Sequence, residues 1–312
     1  MLSAVAATLE AAGPLRAGNT AVITGAGSGL GLELARLAAR HGLRLVLADV
    51  QQDALDRCAE AMRAAGCEVL ARRVDVSDAA DMQALADAAF ERFGAPNLVF
   101  NNAGVAFSGL VWEASAADWE WVLGVNLRGV VHGVRLFTPM MLAAARRDPA
   151  WRGRIVNTAS MAGLVTPPNL GLYNVSKHAV VALSETLHHD LSLVTDQVRA
   201  SVLCPYFFPT GIHQSQRNRA DAPAAPPTAS QRVGQAMFDS AVQGGQVSAA
   251  EVAQRAFEAV AQDRFHVFSH PGLLQPVADR AEALVAGRNP PDPFAARPEV
   301  GARLRAALRG AE

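Results

Sequence analysis

Thr24-Gly25-Ala26-Gly27-Ser28-Gly29-Leu30-Gly31 stands between a short apolar run, Ala21-Val22-Ile23-Thr24, and a segment from Leu30 to His41 with apolar residues at helical spacing. Glycines let a backbone turn tightly and approach a pyrophosphate, and the free N–H groups at a helix start favour anionic oxygens. The spacing is T-G-x-x-x-G-x-G rather than G-x-G-x-x-G. A glycine cluster by itself can be an ordinary turn. A buried strand before it and a helix after it make this one a candidate phosphate-binding loop.

Outward from that loop the same alternation repeats. Strands are expected at 43–48, 68–74, 97–100, 154–158, 198–203 and 265–269, and helices at 51–65, 81–93, 119–145, 172–194 and 248–262. Strands this apolar, alternating with helices, predict a doubly wound parallel α/β sheet of about seven strands, Rossmann-like, with helices on both faces. The domain spans 19–270. Residues 1–18 read as a helical N-terminal extension. Residues 205–247 are rich in Pro and long for a connection, and read as a lid without regular structure. The tail, 271–312, carries a helix at 275–286, a Pro-rich stretch and a final basic helix.

Composition narrows the function. Of 312 residues half are hydrophobic, and 28 basic side chains balance 29 acidic ones. A large core is expected, and neither a nucleic-acid footprint nor a polybasic membrane patch. No apolar run is long enough to span a bilayer, and the N-terminus has no signal-peptide pattern. Cys58, Cys67 and Cys204 form no C-x-x-C pair, which fits a reducing, cytoplasmic setting and no structural zinc. His266 and His270 bracket a strand end, and His188 and His189 are adjacent on one helix, so neither pair is a metal site.

Lys177 is the only lysine; the other 27 basic residues are arginines. It lies four residues after Tyr173, one of two tyrosines, and Ser160 lies thirteen residues upstream of that tyrosine. One helical turn puts Tyr173 and Lys177 on one face. A free phenol, with a pKa of about 10, is a poor base at neutral pH, and a nearby ammonium favours the phenolate. Arginine supplies charge but not a compact ammonium. Catalysis explains the lone lysine where composition does not.

Asp49 closes the second strand, where a carboxylate can accept both hydroxyls of an adenosine ribose and repel a 2′-phosphate. That favours NAD over NADP; the alternatives are a helix N-terminal acid or a surface charge. Asp75 and Val76 end the third strand and can meet the adenine edge. Asn101, Asn102, Ala103 and Gly104 end the fourth and can line the nucleotide groove.

With these motifs in order, the chain resembles the short-chain dehydrogenase/reductase family over about 19–269. The resemblance assigns Gly25, Gly27, Ser28, Gly29, Leu30 and Gly31 to the diphosphate loop, and makes Asn126, Ser160, Tyr173 and Lys177 a catalytic tetrad. It implies Tyr173 as general acid/base, Lys177 on the nicotinamide ribose, Ser160 on the substrate oxygen and Asn126 holding a relay water. On its own Asn126 reads as a helix-kink or buried hydrogen-bonding residue. Pro205, Phe208 and Thr210 would flank the nicotinamide. Where the family usually has Pro-Gly this chain has Pro205-Tyr206, and Tyr206 is either a pocket wall or a structural aromatic.

Phe207, Phe208, Ile212, Met237 and Phe238, with Leu164, Val165 and Leu170, suggest an apolar substrate pocket or else lid packing. Arg217 and Arg219 could meet an anionic group or be solvated. The expected activity is NAD-dependent interconversion of a secondary alcohol and a ketone on a hydrophobic or aromatic substrate. The long lid and Pro-rich tail resemble, loosely, those of lignin aryl-ether Cα-dehydrogenases. The alternatives are a 3-ketoacyl-thioester reductase and a non-catalytic dinucleotide-binding regulatory protein. The resemblance also implies a homodimer or homotetramer paired through helices 119–145 and 172–194.

Overall fold

Alternate residues of Thr20–Thr24 (β1) face opposite ways, and this divides the core into two layers. Ala21 and Ile23 enter one buried cluster with Leu45, Leu47, Phe100 and Phe257. Val22 enters the other with Val46, Val99, Met82 and Phe137. Both faces of the strand are therefore covered, which is why it reads as a continuous apolar run. The computed structural model describes residues 13–219 and 226–310. Most of the expected N-terminal helix, 1–12, lies outside the described residues.

The helices and strands alternate as Gly29–Arg40 (α1), Arg44–Asp49 (β2), Gln52–Ala64 (α2), Val69–Arg73 (β3), Ala79–Phe93 (α3) and Leu98–Asn101 (β4). Ala116–Leu123 (α4) and Gly129–Arg147 (α5) follow, then Gly153–Thr158 (β5), Gly171–Val194 (α6) and Val198–Cys204 (β6). Ala229–Gln243 (α7), Ala249–Ala261 (α8), His266–Phe268 (β7), Gln275–Val285 (α9) and Pro298–Arg309 (α10) complete the chain. The sheet runs β3-β2-β1-β4-β5-β6-β7, and its ladders are parallel. Strand order reverses between β1 and β4. A crevice therefore opens at their carboxyl ends, beside Thr24 and Asn101, where open α/β sheets bind ligands.

Two expectations need correction. The helix expected over 119–145 runs from Ala116 to Arg147, with a π-helical turn at Gly124–Arg128 between its α-helical parts α4 and α5. Ser115 starts α4 three residues early, because its hydroxyl and the Asp118 carboxylate form a reciprocal capping box. The lid is not irregular throughout either. Thr228 and Gln231 form a second capping box and start α7, which buries Ser230, Gly234, Phe238 and Val242 at intervals of four.

The tail returns to the lid: α10 packs against α7. Arg297 donates to the Tyr206 hydroxyl at 3.4 Å.

Candidate active site

The glycine loop is held open by backbone that only glycine adopts easily. Gly25 and Gly29 have φ of 67° and 52°. Space excludes side chains as firmly as conformation does: a Cβ on Gly31 would lie 1.9 Å from the Gly25 carbonyl oxygen. Thr24 ties the loop to the end of β4, its hydroxyl accepting from the N–H groups of Asn102 (3.0 Å) and Ala103 (3.1 Å). The Asn102 amide donates back to the Thr24 carbonyl at 3.0 Å. Ser28 precedes α1 with no side-chain cap, and the first turn of that helix has no acidic residue. Its free N–H groups and positive dipole end suit a diphosphate.

That loop forms one wall of a cavity of about 800 Å³. Gly25, Ser28, Gly29, Leu30 and Gly31 line it, with Asp49, Asp75 and Val76 toward one end and Asn102, Ala103 and Gly104 along the middle. Ser160, Tyr173 and Lys177 line it too, as do Pro205, Phe208 and Thr210. The residues present therefore fit an extended dinucleotide: a carboxylate, a glycine cradle with free donors, and a titratable cluster follow one another along one groove.

Three of the expected cofactor and catalytic residues do not line the cavity. Asn101 is buried in the sheet, its amide donating to the Asn157 side-chain oxygen at 2.8 Å. Gly27 turns away from the cavity, donating its N–H to the Asp49 carboxylate at 2.8 Å, and a Cβ there would sit 2.9 Å from that of Ala54. Its glycine lets the loop close on α2 and orient Asp49. Asn126 sits fully buried in the π-helical turn. Its side-chain oxygen accepts from the Val105 N–H at 2.8 Å. Its amide donates to the Val105 carbonyl and the Ser176 hydroxyl, both at 3.0 Å. The structure gives it the buried hydrogen-bonding place that its residue type alone suggested.

Tyr173 and Lys177 share one face of α6 as their spacing requires, with the Lys177 nitrogen 5.7 Å from the phenol ring centroid. The nitrogen donates to the Thr158 carbonyl at 2.9 Å. Burial pushes the Lys177 ammonium down to about 8. Burial also pushes the Tyr173 phenol up to about 12, opposed by its hydrogen bond with Ser160. The phenol is thus shifted opposite to the direction expected from the lysine, because the phenolate loses more by leaving water than it gains from its hydrogen bond with Ser160. Ser160 is fixed by accepting from the Ala162 N–H at 3.1 Å.

The far end of the cavity is apolar. Phe207, Phe208, Ile212, Phe238, Val165 and Leu170 line it as anticipated, whereas Leu164 and Met237 do not. Phe238 meets the Tyr173 ring edge-on at 6.4 Å and Phe207 at 5.6 Å. Tyr206 is both of the things its position allowed: it lines the cavity, and its ring packs on Phe207 and His270.

A strap, Gly211–Asn218 and Arg219, crosses this groove, and residue spacing gave no sign of its anchors. The Gln51 amide donates to the Asn218 side chain at 2.5 Å. Arg219 pairs with Asp118 at 2.5 Å, largely buried, and lies over the Trp121 ring at 5.3 Å. Burial alone would raise the Asp118 pKa; hydrogen bonds from Ser115 and Arg219 outweigh it, and the net shift is downward.

Among the described residues no group of three His, Cys, Asp or Glu side chains could hold a metal, and His266 faces Glu185 at 3.6 Å. Nor, among them, is any helix long and apolar enough to cross a membrane.

The sequence profile of the short chain dehydrogenases matches residues 19–221. The chain belongs to the short-chain dehydrogenase family. A short chain dehydrogenase/reductase from Burkholderia phymatum, solved in complex with NAD, is 50% identical to it. That likeness covers 89% of this chain and 98% of that one, with a TM-score of 0.86. The 1-deoxy-11-beta-hydroxypentalenate dehydrogenase of Streptomyces avermitilis is 34% identical over 264 residues, 84% of this chain and 88% of that one. A cyclohexanol dehydrogenase from Acinetobacter sp. is 36% identical over 166 residues, 53% of this chain and 64% of that one. At the level of the family, this short-chain dehydrogenase is an alcohol/ketone oxidoreductase that uses a nicotinamide dinucleotide.

Proposed function

We propose that the protein is an NAD-dependent dehydrogenase of bulky hydrophobic secondary alcohols and the corresponding ketones. The observation that carries the reading is a single groove with Asp49 at one end, Ser160, Tyr173 and Lys177 in the middle, and an aromatic pocket beyond them. When bound, the nicotinamide supplies the hydride acceptor or donor.

The chain's own residues manage the oxygen. Tyr173 holds its proton at neutral pH and so donates it to a developing alkoxide; in the other direction only its phenolate form, which grows with pH, accepts the proton of an alcohol. Ser160, fixed by Ala162, hydrogen-bonds the same substrate oxygen. Lys177 leaves the Thr158 carbonyl or shares it to grip a ribose hydroxyl, and its charge offsets the phenolate as that forms. Asn126 is a positioning residue, holding the backbone at Val105 beside Gly104.

Asp49 supports NAD over NADP. Gly27 and Gln51 N–H groups hold its two oxygens at 2.8 and 2.9 Å, leaving lone pairs for ribose hydroxyls and a negative charge that would repel a 2′-phosphate. The aromatic wall supports a bulky apolar substrate, as do the alicyclic alcohols named for two of the relatives. Exposed Val131 on α5 and Val175 on α6 fit a dimer or tetramer paired through those helices.

Initial rates with NADH and NADPH on a ketone panel test the proposal. The expected result is at least about tenfold higher kcat/KM with NADH, and higher values for cyclic or aryl ketones than for acetone. Equal rates with both cofactors, or a preference for acetone, would overturn it.

A further inference from the structure

The strap that closes over the groove carries two arginines with different fates. Arg219 is consumed by Asp118 and lies largely buried. Arg217 lines the same cavity as Gly29 and Thr210, and among the described residues no carboxylate lies within ion-pair distance of it. Among the described residues its one side-chain hydrogen-bond partner is neutral, the Gln214 carbonyl oxygen at 2.6 Å.

The anchors of the strap fix where that guanidinium hangs. At one end Thr210 lies against the glycine loop, its Cβ 3.3 Å from where a Cβ on Gly29 would stand. At the other end Asn218 is tied to Gln51, two residues beyond Asp49. Between them the Arg217 guanidinium folds back over Gly211, and a Cβ on that glycine would lie 2.8 Å from a guanidinium nitrogen. A cation on the lid strap thus lines the same groove as the uncapped N-terminus of α1. One wall offers N–H groups and a helix dipole; the other offers a planar fork of donors suited to phosphate oxygens.

We infer that Arg217 binds the cofactor's diphosphate from the lid side, so that the strap is a part of the dinucleotide site and not only a cover for substrate. The inference rests on the dinucleotide reading above. It also gives the Gln51–Asn218 bond a purpose, since that contact holds the strap in register with the adenosine end of the groove.

The test is binding, without turnover: ADP-ribose by titration calorimetry, and adenosine by competition, on wild type, Arg217→Gln and Arg217→Lys. Loss of a charge-assisted contact to a diphosphate should raise the Kd for ADP-ribose about tenfold in Arg217→Gln, with adenosine changed less than about twofold. Arg217→Lys, which keeps the charge without the fork, should fall between. Added salt should weaken ADP-ribose binding more in wild type than in Arg217→Gln. Unchanged ADP-ribose affinity in Arg217→Gln overturns the inference and leaves the dinucleotide reading standing. An equal loss for adenosine also overturns it, since that marks a collapsed strap. Failure of wild type to bind ADP-ribose sinks both.

Discussion

Lys177 is a buried cation whose desolvation is costly, and replacing it with methionine should reveal that cost. The side chain is 2% exposed, its one hydrogen bond is to the neutral Thr158 carbonyl, and its pKa falls from 10.5 to about 8. A difference of about 2.5 units between unfolded and folded chain corresponds to about 3 kcal/mol. Below pH 8 the ammonium is charged in both states and the full cost is present. Between pH 8 and 10.5 the unfolded chain binds a proton that the native protein has released, so stability rises with pH. Above 10.5 the lysine is neutral in both states and the cost is gone. Lys177→Met loses the bond to Thr158, which returns about 1 kcal/mol. The variant should therefore be about 2 kcal/mol more stable than wild type at pH 7; this advantage should cross zero at about pH 10 and become a deficit of about 1 kcal/mol well above pH 10.5. Urea unfolding of both cofactor-free proteins at five pH values measures it. Tyr173 titrates in both and largely cancels. A variant less stable than wild type at pH 7, or a difference independent of pH, would refute the reasoning.

Tyr173→Phe should lower turnover by at least about 10² while changing NADH affinity less than about threefold, by stopped-flow and equilibrium binding; a variant with wild-type turnover removes the phenol from the chemistry. Because the phenol is held up to about 12, alcohol oxidation should climb from pH 7 to 10, and a flat profile would mean another base. Asp49→Ser should cut the NADH/NADPH ratio of kcat/KM at least about tenfold, and an unchanged ratio would mean that other contacts set cofactor choice. Phe238→Ala opens the wall beside Tyr173, and KM for an aryl ketone should rise about tenfold with little change for a small one; a uniform effect would point to lid destabilisation instead.

The sheet was legible because its signals are local. Most strands carry an apolar run ended by glycine or polar residues, β3 with its Arg72 and Arg73 being the weakest, and the glycine loop and the Tyr-x-x-x-Lys pair depend on spacing alone. The lid helix α7 has a local signal of its own: Thr228 with Gln231 is a capping pair, and Ser230, Gly234, Phe238 and Val242 recur every fourth residue, but Pro226 and Pro227 just before them are loop signals. The π-helical break at Gly124–Arg128 was not legible. Its apolar spacing continues a helix, and the break serves Asn126, whose partners Val105 and Ser176 are 21 and 50 residues away. The strap's anchors lie further still: Gln51 and Asn218 are separated by 167 residues and Asp118 and Arg219 by 101. Nothing at either position announces the other. The raised phenol had the same origin, since spacing reports which groups are near one another and not how completely water is excluded.

In the proposed function, one groove joins a nicotinamide dinucleotide to a hydrophobic secondary alcohol through Tyr173. The most direct test of that function is the absorbance at 340 nm when purified protein is mixed with NAD and a cyclic secondary alcohol such as cyclohexanol, beside the Tyr173→Phe variant. The account predicts steady formation of NADH by the wild type, one ketone per NADH by chromatography, and a rate at least about a hundredfold lower in the variant. No NADH from any secondary alcohol by a protein that binds NAD, or equal rates from both proteins, would contradict it.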